Sequence, residues 1–152
     1  MTYLLDTDTF IFMVRGLKIH TPSNERQRRR QALARQIFDT GREKTLAGHQ
    51  VALSAITVAE IEFGAQNSGN YEQEIEIVRR AMSPFALLDF EASTCPVCYG
   101  EIRYRLASLG TPIGSTDLFI AAHARALKAI LVTNNVAEFS RVHDLACENW
   151  AR

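Results

Sequence analysis

No stretch of 18 or more apolar residues occurs in the 152-residue chain, so no membrane-spanning helix is expected. The N-terminus lacks a basic segment leading into a long apolar stretch, so no signal peptide is expected. An apolar run instead begins at once and ends in an acid, as a buried first strand would. Three cysteines are too few for a disulfide framework, and a reducing cytoplasm suits them. Cys95-Pro96-Val97-Cys98 has the spacing of a redox pair, but no second pair completes a zinc site. It reads as two small helix residues with Pro96 in the first turn. Net charge is also missing: 17 basic residues balance 17 acidic ones, which argues neither for nor against nucleic acid. With no repeat, linker or low-complexity segment, the length suits one domain over residues 1–152.

Short apolar runs alternate with helical patterns. Strands are expected at Thr2 to Leu5, Val51 to Ala55, Phe85 to Leu88 and Ala129 to Thr133, with an edge strand near Leu145 to Cys147. Helices are expected at Thr9 to Val14, from Ser23 or Asn24 to Gly41, from Thr57 to Ala65, at Tyr71 to Met82, at Glu91 to Leu109, from Thr116 onward, and as a short turn at Ala137 to Arg141. In the second helix Ala32, Leu33, Gln36 and Ile37 form the apolar stripe. In the fifth, Ile102, Leu106 and Leu109 face inward. The alternation predicts an α/β/α sandwich, with a mostly parallel sheet of about five strands and helices on both faces.

Chemistry concentrates where strands end, the place where open α/β sheets bind ligands. Asp6 follows Leu4-Leu5, and with Asp8 as the natural helix cap it has no structural task. Glu60 lies one turn beyond the second strand, although Thr57-x-x-Glu60 also fits a capping box. Asp117 sits in the first turn of an otherwise apolar, small-residue helix, where an unpaired carboxylate is costly. Asn134 and Asn135 follow the fourth strand, with Glu138 three residues beyond Asn135. His123 reads as packing. Unpaired carboxylates about 4 Å apart repel by roughly 4 kcal/mol at an effective dielectric near 20. A divalent cation removes that cost, so the pattern points to metal-assisted hydrolysis. Between Thr21 and Lys44, seven basic residues outnumber three acids, an excess that attracts phosphate or simply forms a solvated face.

Four segments together carry a resemblance. They are Leu4-Leu5-Asp6-Thr7-Asp8; Ser54-Ala55-Ile56-Thr57-Val58-Ala59-Glu60-Ile61 with Gly64; Gly110 to Gly114 leading to Asp117-Leu118-Phe119-Ile120-Ala121-Ala122-His123-Ala124; and Leu131-Val132-Thr133-Asn134-Asn135 with Glu138-Phe139. In order and extent the chain resembles the PIN-domain ribonucleases, specifically VapC-type toxins of toxin–antitoxin pairs. The resemblance implies a PIN fold and an endoribonuclease dependent on Mg²⁺ or Mn²⁺. Asp6 and Asp117 match the metal-holding acids, and Glu60 matches the acid that orients or deprotonates the attacking water. Asn135 stands where many relatives carry a fourth acid, and Glu138 compensates. Asp8 replaces the usual Asn. The resemblance also implies an RNA substrate, with tRNA or another translation-related RNA expected, a VapB-like antitoxin and a homodimer. Because the site is acidic, RNA must be held by basic residues around it, with Arg15, Arg26, Arg28, Arg29 and Arg30 as candidates.

Two other readings compete. Asp6-Thr7-Asp8 is similar to the first motif of haloacid-dehalogenase-like phosphatases, but Phe10 stands where that motif wants Thr or Val, and a late acidic pair is missing. A non-catalytic RNA- or protein-binding module on a PIN fold is permitted by Asn135 and opposed by the intact Asp6, Glu60 and Asp117.

Overall fold

A computed structural model describes the whole chain, Met1 to Arg152. Five strands form one sheet: β1 (Thr2–Leu5), β2 (Gln50–Ser54), β3 (Ala86–Leu88), β4 (Ile130–Val132) and β5 (Ala146–Glu148). Their order is β3-β2-β1-β4-β5 and every pairing is parallel. Seven helices cover the sheet: α1 (Thr7–Leu17), α2 (Glu25–Leu46), α3 (Ala55–Asn67), α4 (Tyr71–Met82), α5 (Cys95–Ser108), α6 (Ser115–Leu127) and α7 (Val136–Phe139).

The expected sandwich is therefore present, and strand alternation explains its two cores. Tyr3, Leu5, Val51, Leu53 and Val132 point to one face, where they pack with Phe10, Met13, Ile37, Ile61, Ile75 and Val78. Leu4, Ala52 and Leu131 stand side by side in register and point to the other, against Ile102, Leu106, Ile120 and Phe139. Burial on both faces is why these strands read as unbroken apolar runs. The chain runs outward from β1 through β2 to β3, then returns to the far side of β1 as β4 and β5. The crevice between the ends of β1 and β4 is thus the topological switch point.

Several boundaries differ from expectation. α2 continues past Gly41 to Leu46, because Gly41 lies against the Trp150 ring, 3.5 Å from where a Cβ would stand. Its buried positions are Ala34, Ile37 and Gly41: Ile37 is inward as expected, but Ala32, Leu33 and Gln36 are not among the buried positions. α5 starts at Cys95 and ends at Ser108, so Leu109 falls past its end and is 63 % exposed. Pro96 occupies the first turn as expected, and all three cysteines are free thiols.

α1 and α2 cross at Gly16. A Cβ there would come within 2.3 Å of the Ala34 Cβ and 2.9 Å of the Arg30 carbonyl oxygen. Gly16→Ala gains about 1 kcal/mol of helix propensity but forces two packed helices apart, an overpacking cost of about 3 kcal/mol. The expected result is a net loss of about 2 kcal/mol in urea unfolding, read as a lower midpoint at unchanged slope.

Candidate active site

Asp6 follows β1 directly and is 2 % exposed. Its Oδ1 accepts from the Thr9 N–H (2.8 Å), capping α1. Its Oδ2 accepts from the Thr133 hydroxyl (2.6 Å), beyond β4. The Thr133 hydroxyl in turn accepts from the Asn135 N–H (2.9 Å), and the Thr9 hydroxyl accepts from the Asn134 N–H (3.1 Å). The ends of the two central strands are laced together around one carboxyl group. The expectation that Asp8 caps the helix and leaves Asp6 idle is corrected here. The helix starts at Thr7 without a loop, so Asp6 is the cap and Asp8 is an exposed first-turn acid. Burial pushes the Asp6 carboxyl above its ordinary pKa, against the lowering effect of the Thr133 and Thr9 hydrogen bonds, and the Asp8 charge adds to the rise.

Asp117 lies in the first turn of α6 and is half-buried. Its pKa is pushed up to about 7, first by burial, then by the charge of Glu138, by a hydrogen bond shared with Glu138, and by the charges of Asp6 and Asp8. Glu138 on α7 is held from behind by the Asn135 side-chain amide, which donates to it at 2.6 Å.

Glu60 is exposed on α3 and does not close a capping box. Ser54 caps that helix, accepting from the Ile56 N–H (3.0 Å), so Thr57 lies inside the first turn and bonds the Thr7 hydroxyl (2.9 Å). Glu60 is thereby left free to face the recess, where the Thr116 hydroxyl approaches to 3.5 Å. Asp8, Glu60 and Asp117 line this one recess with Thr7 and Thr116.

None of Asp6, Asp8, Glu60, Asp117 and Glu138 pairs with a Lys, Arg or His. As the side chains stand, no three of them close on one point. An all-oxygen donor set of excess negative charge fits a hard divalent cation. Asp6 and Asp117 are the acids whose surroundings most strongly call for neutralisation.

Thr133, Thr9 and Ser54 were not singled out by the sequence reading. All three are fully buried polar residues at strand or helix ends. Ser54 also bonds His123 Nδ1 (2.7 Å) across the layers, tying α6 to the end of β2. Burial pushes the His123 pKa down, and its ring meets Phe90 edge-on, as packing requires. Of the candidate RNA-binding arginines, none lines the acidic recess. Arg15, Arg26, Arg29 and Arg30 line recesses further along α1 and α2, whereas Arg28 is occupied by Glu25 at 3.1 Å.

Comparison with known proteins agrees with this geometry. The PIN domain profile matches residues 3–145. Ribonuclease VapC2 of Rickettsia felis is 33 % identical over 150 residues, covering 99 % of this chain and 98 % of that one. A tRNA(fMet)-specific endonuclease VapC of Shigella flexneri is 31 % identical over 151 residues, covering 99 % of both. Among solved structures, VapBC2 of Rickettsia felis bound to a promoter DNA fragment matches with a TM-score of 0.78 at 32 % identity over 99 % of both chains. VapBC-1 of nontypeable Haemophilus influenzae matches with a TM-score of 0.78 at 32 % identity over the whole of both. A phosphatase of the haloacid-dehalogenase kind is set aside by these likenesses. An all-parallel sheet with uncompensated acids at its switch point, and likeness along the full chain, make this protein a member of the PIN-domain family, of the VapC ribonuclease type.

Proposed function

We propose that this chain is the toxin of a toxin–antitoxin pair, an endoribonuclease that hydrolyses RNA phosphodiester bonds with a carboxylate-held Mg²⁺ or Mn²⁺. The observation that carries the reading is the group of five carboxylates with no cationic partner, one of them with its pKa near 7. Asp6 and Asp117 hold the cation. Thr133 and the Thr9 N–H fix the Asp6 carboxylate, so its orientation is set before any ligand arrives. Glu60, exposed in the same recess, orients or deprotonates the attacking water. Asn135 keeps Glu138 beside Asp117. The cation, when bound, lowers the pKa of water and stabilises charge on the phosphate.

A tRNA or another translation-related RNA is the substrate class, on the strength of relatives named as tRNA(fMet)-specific endonucleases. The partner is a small VapB-like antitoxin, as in the VapBC complexes of similar fold, and the toxin works as a cytoplasmic homodimer. No helix is long and apolar enough to cross a membrane. The competing reading, a non-catalytic binding module, is favoured by the single feature of Asn135 in place of an acid. Cleavage of a mixed tRNA and rRNA pool by antitoxin-free protein decides between them. Cleavage is expected with Mg²⁺ or Mn²⁺ and none with EDTA. RNA binding without cleavage under any metal would select the binding module.

A further inference from the structure

The acidic recess opens into a groove between α1, α3 and α4, which leads to a basic recess beside the N-terminus of α2. The three recesses are neighbours that share lining residues. Ile11 and Glu60 belong to both the acidic recess and the groove, and Arg15 belongs to both the groove and the basic recess. Asp8, Ile11 and Arg15 are spaced i, i+3 and i+7, so they lie along one face of α1. At 1.5 Å per residue, Arg15 stands about 10 Å along that face from Asp8.

Arg15, Arg26 and Arg30 line the basic recess with Asn24 and Gln27, and its volume is about 370 Å³, room for a phosphodiester group and not water alone. Arg26 and Arg30 continue into an adjoining recess with Arg29 and Phe12. None of these four arginines is in an ion pair, whereas Glu25 beside them pairs with Arg28. The Arg30 guanidinium lies 5.2 Å over the Phe12 ring, and its Nε is buried without a hydrogen-bond partner. A buried charged donor left unmade is costly. Several planar forks with free donors around a concave site match the geometry of a phosphate.

We propose that Arg15, Arg26 and Arg30 form a phosphate seat that grips the RNA backbone at a linkage other than the one cut, and so set the strand's path across α1 to the acids. The proposal rests on the nuclease reading for its substrate and deepens it. RNA is favoured over an acidic protein segment because Arg15 lies on the same face of α1 as Asp8 and Ile11, which line the acidic recess, and because its free donors stand in forks that match a diester oxygen pair.

The test is fluorescence anisotropy of a labelled single-stranded oligoribonucleotide with the full chain in EDTA, repeated across salt concentrations. Arg26→Gln with Arg30→Gln is expected to weaken binding roughly tenfold or more and to lower the salt slope by about one. The exposed Arg26→Gln alone, which leaves the Arg30–Phe12 contact intact, is expected to give part of that loss. Arg28→Gln is expected to change neither. With Mg²⁺, KM rises and kcat stays. Neutral methylphosphonates placed one linkage at a time are expected to reveal one position that weakens the wild type and leaves the double variant unaffected. Unchanged RNA affinity in the folded double variant overturns the seat even where metal-dependent cleavage upholds the nuclease. Loss confined to the antitoxin reassigns the recess to a protein and overturns it too. Weakened RNA binding in a chain whose wild type cleaves nothing keeps the seat and removes the nuclease reading.

Discussion

Asp117→Asn is expected to abolish RNA cleavage, a loss of about a thousandfold or more, while making the metal-free protein more stable at pH 8. The two effects share one cause. Burial and the neighbouring Glu138, Asp6 and Asp8 raise the Asp117 pKa from 3.8 to about 7. Between those values the folded protein holds a proton that the unfolded chain has released. Stability therefore falls as pH rises through this window. Above it, the folded state carries a carboxylate that its surroundings disfavour. Asparagine has a similar shape and no charge, so it removes the penalty and with it the proposed metal ligand. Melting curves at pH 5.5 and pH 8 without metal are expected to separate for the wild type and to draw together for the variant. Mg²⁺ is expected to stabilise the wild type, more so at the higher pH, by mass action on the deprotonated form. The variant gains nothing from it. An equal gain from Mg²⁺ in both proteins would remove Asp117 from the metal site.

The same pairing of burial with charge explains what the sequence disclosed and what it hid. Tyr3-Leu4-Leu5, Val51-Ala52-Leu53 and Leu131-Val132 were legible as strands because a parallel sheet buried on both faces needs continuous apolar runs. The acids were legible because a carboxylate directly after such a run has few bland explanations. The junctions were not. Asp6 serves the helix cap and the site at once, and a pattern search assigns one task to each residue. Thr57-x-x-Glu60 satisfied the spacing of a capping box, yet Ser54 three residues earlier took the cap because the strand runs into the helix without a loop. Thr133 was hidden because a threonine at the end of an apolar run reads as one more strand residue, whereas its hydroxyl is the donor that holds Asp6. In α2 the stripe was right at Ile37 but missed Ala34 and Gly41, through which that helix lies against Gly16 of α1 and against Trp150. Close approach of backbones selects small residues, and hydrophobic periodicity does not register them.

Asp6 offers the second large effect, and here the choice of substitution separates structure from chemistry. Asp6→Asn keeps an oxygen for the Thr9 N–H, since Asn caps helices as well as Asp. The Thr133 hydroxyl, which donates to Asp6 Oδ2, can stay paired by accepting from the new amide NH₂ instead. Stability is expected to stay near that of the wild type, while cleavage falls about a thousandfold with the charge that holds the cation. Asp6→Ala removes both acceptors. The lost cap costs about 1 kcal/mol, and the stranded, fully buried Thr133 hydroxyl costs about 2 kcal/mol more. Relief from desolvating an acid offsets part of this, leaving a net loss of about 2 kcal/mol, or a melting temperature about 6 °C lower for a chain of this size. Both variants are expected to be inactive and only the alanine one unstable. A stable alanine variant would deny Asp6 its place between the strand ends. An active asparagine variant would deny the carboxylate its charge-dependent task. Because the cap and the proposed ligand are one side chain, the start of the first helix and the orientation of the carboxylate are set by the same two hydrogen bonds, from Thr9 and Thr133.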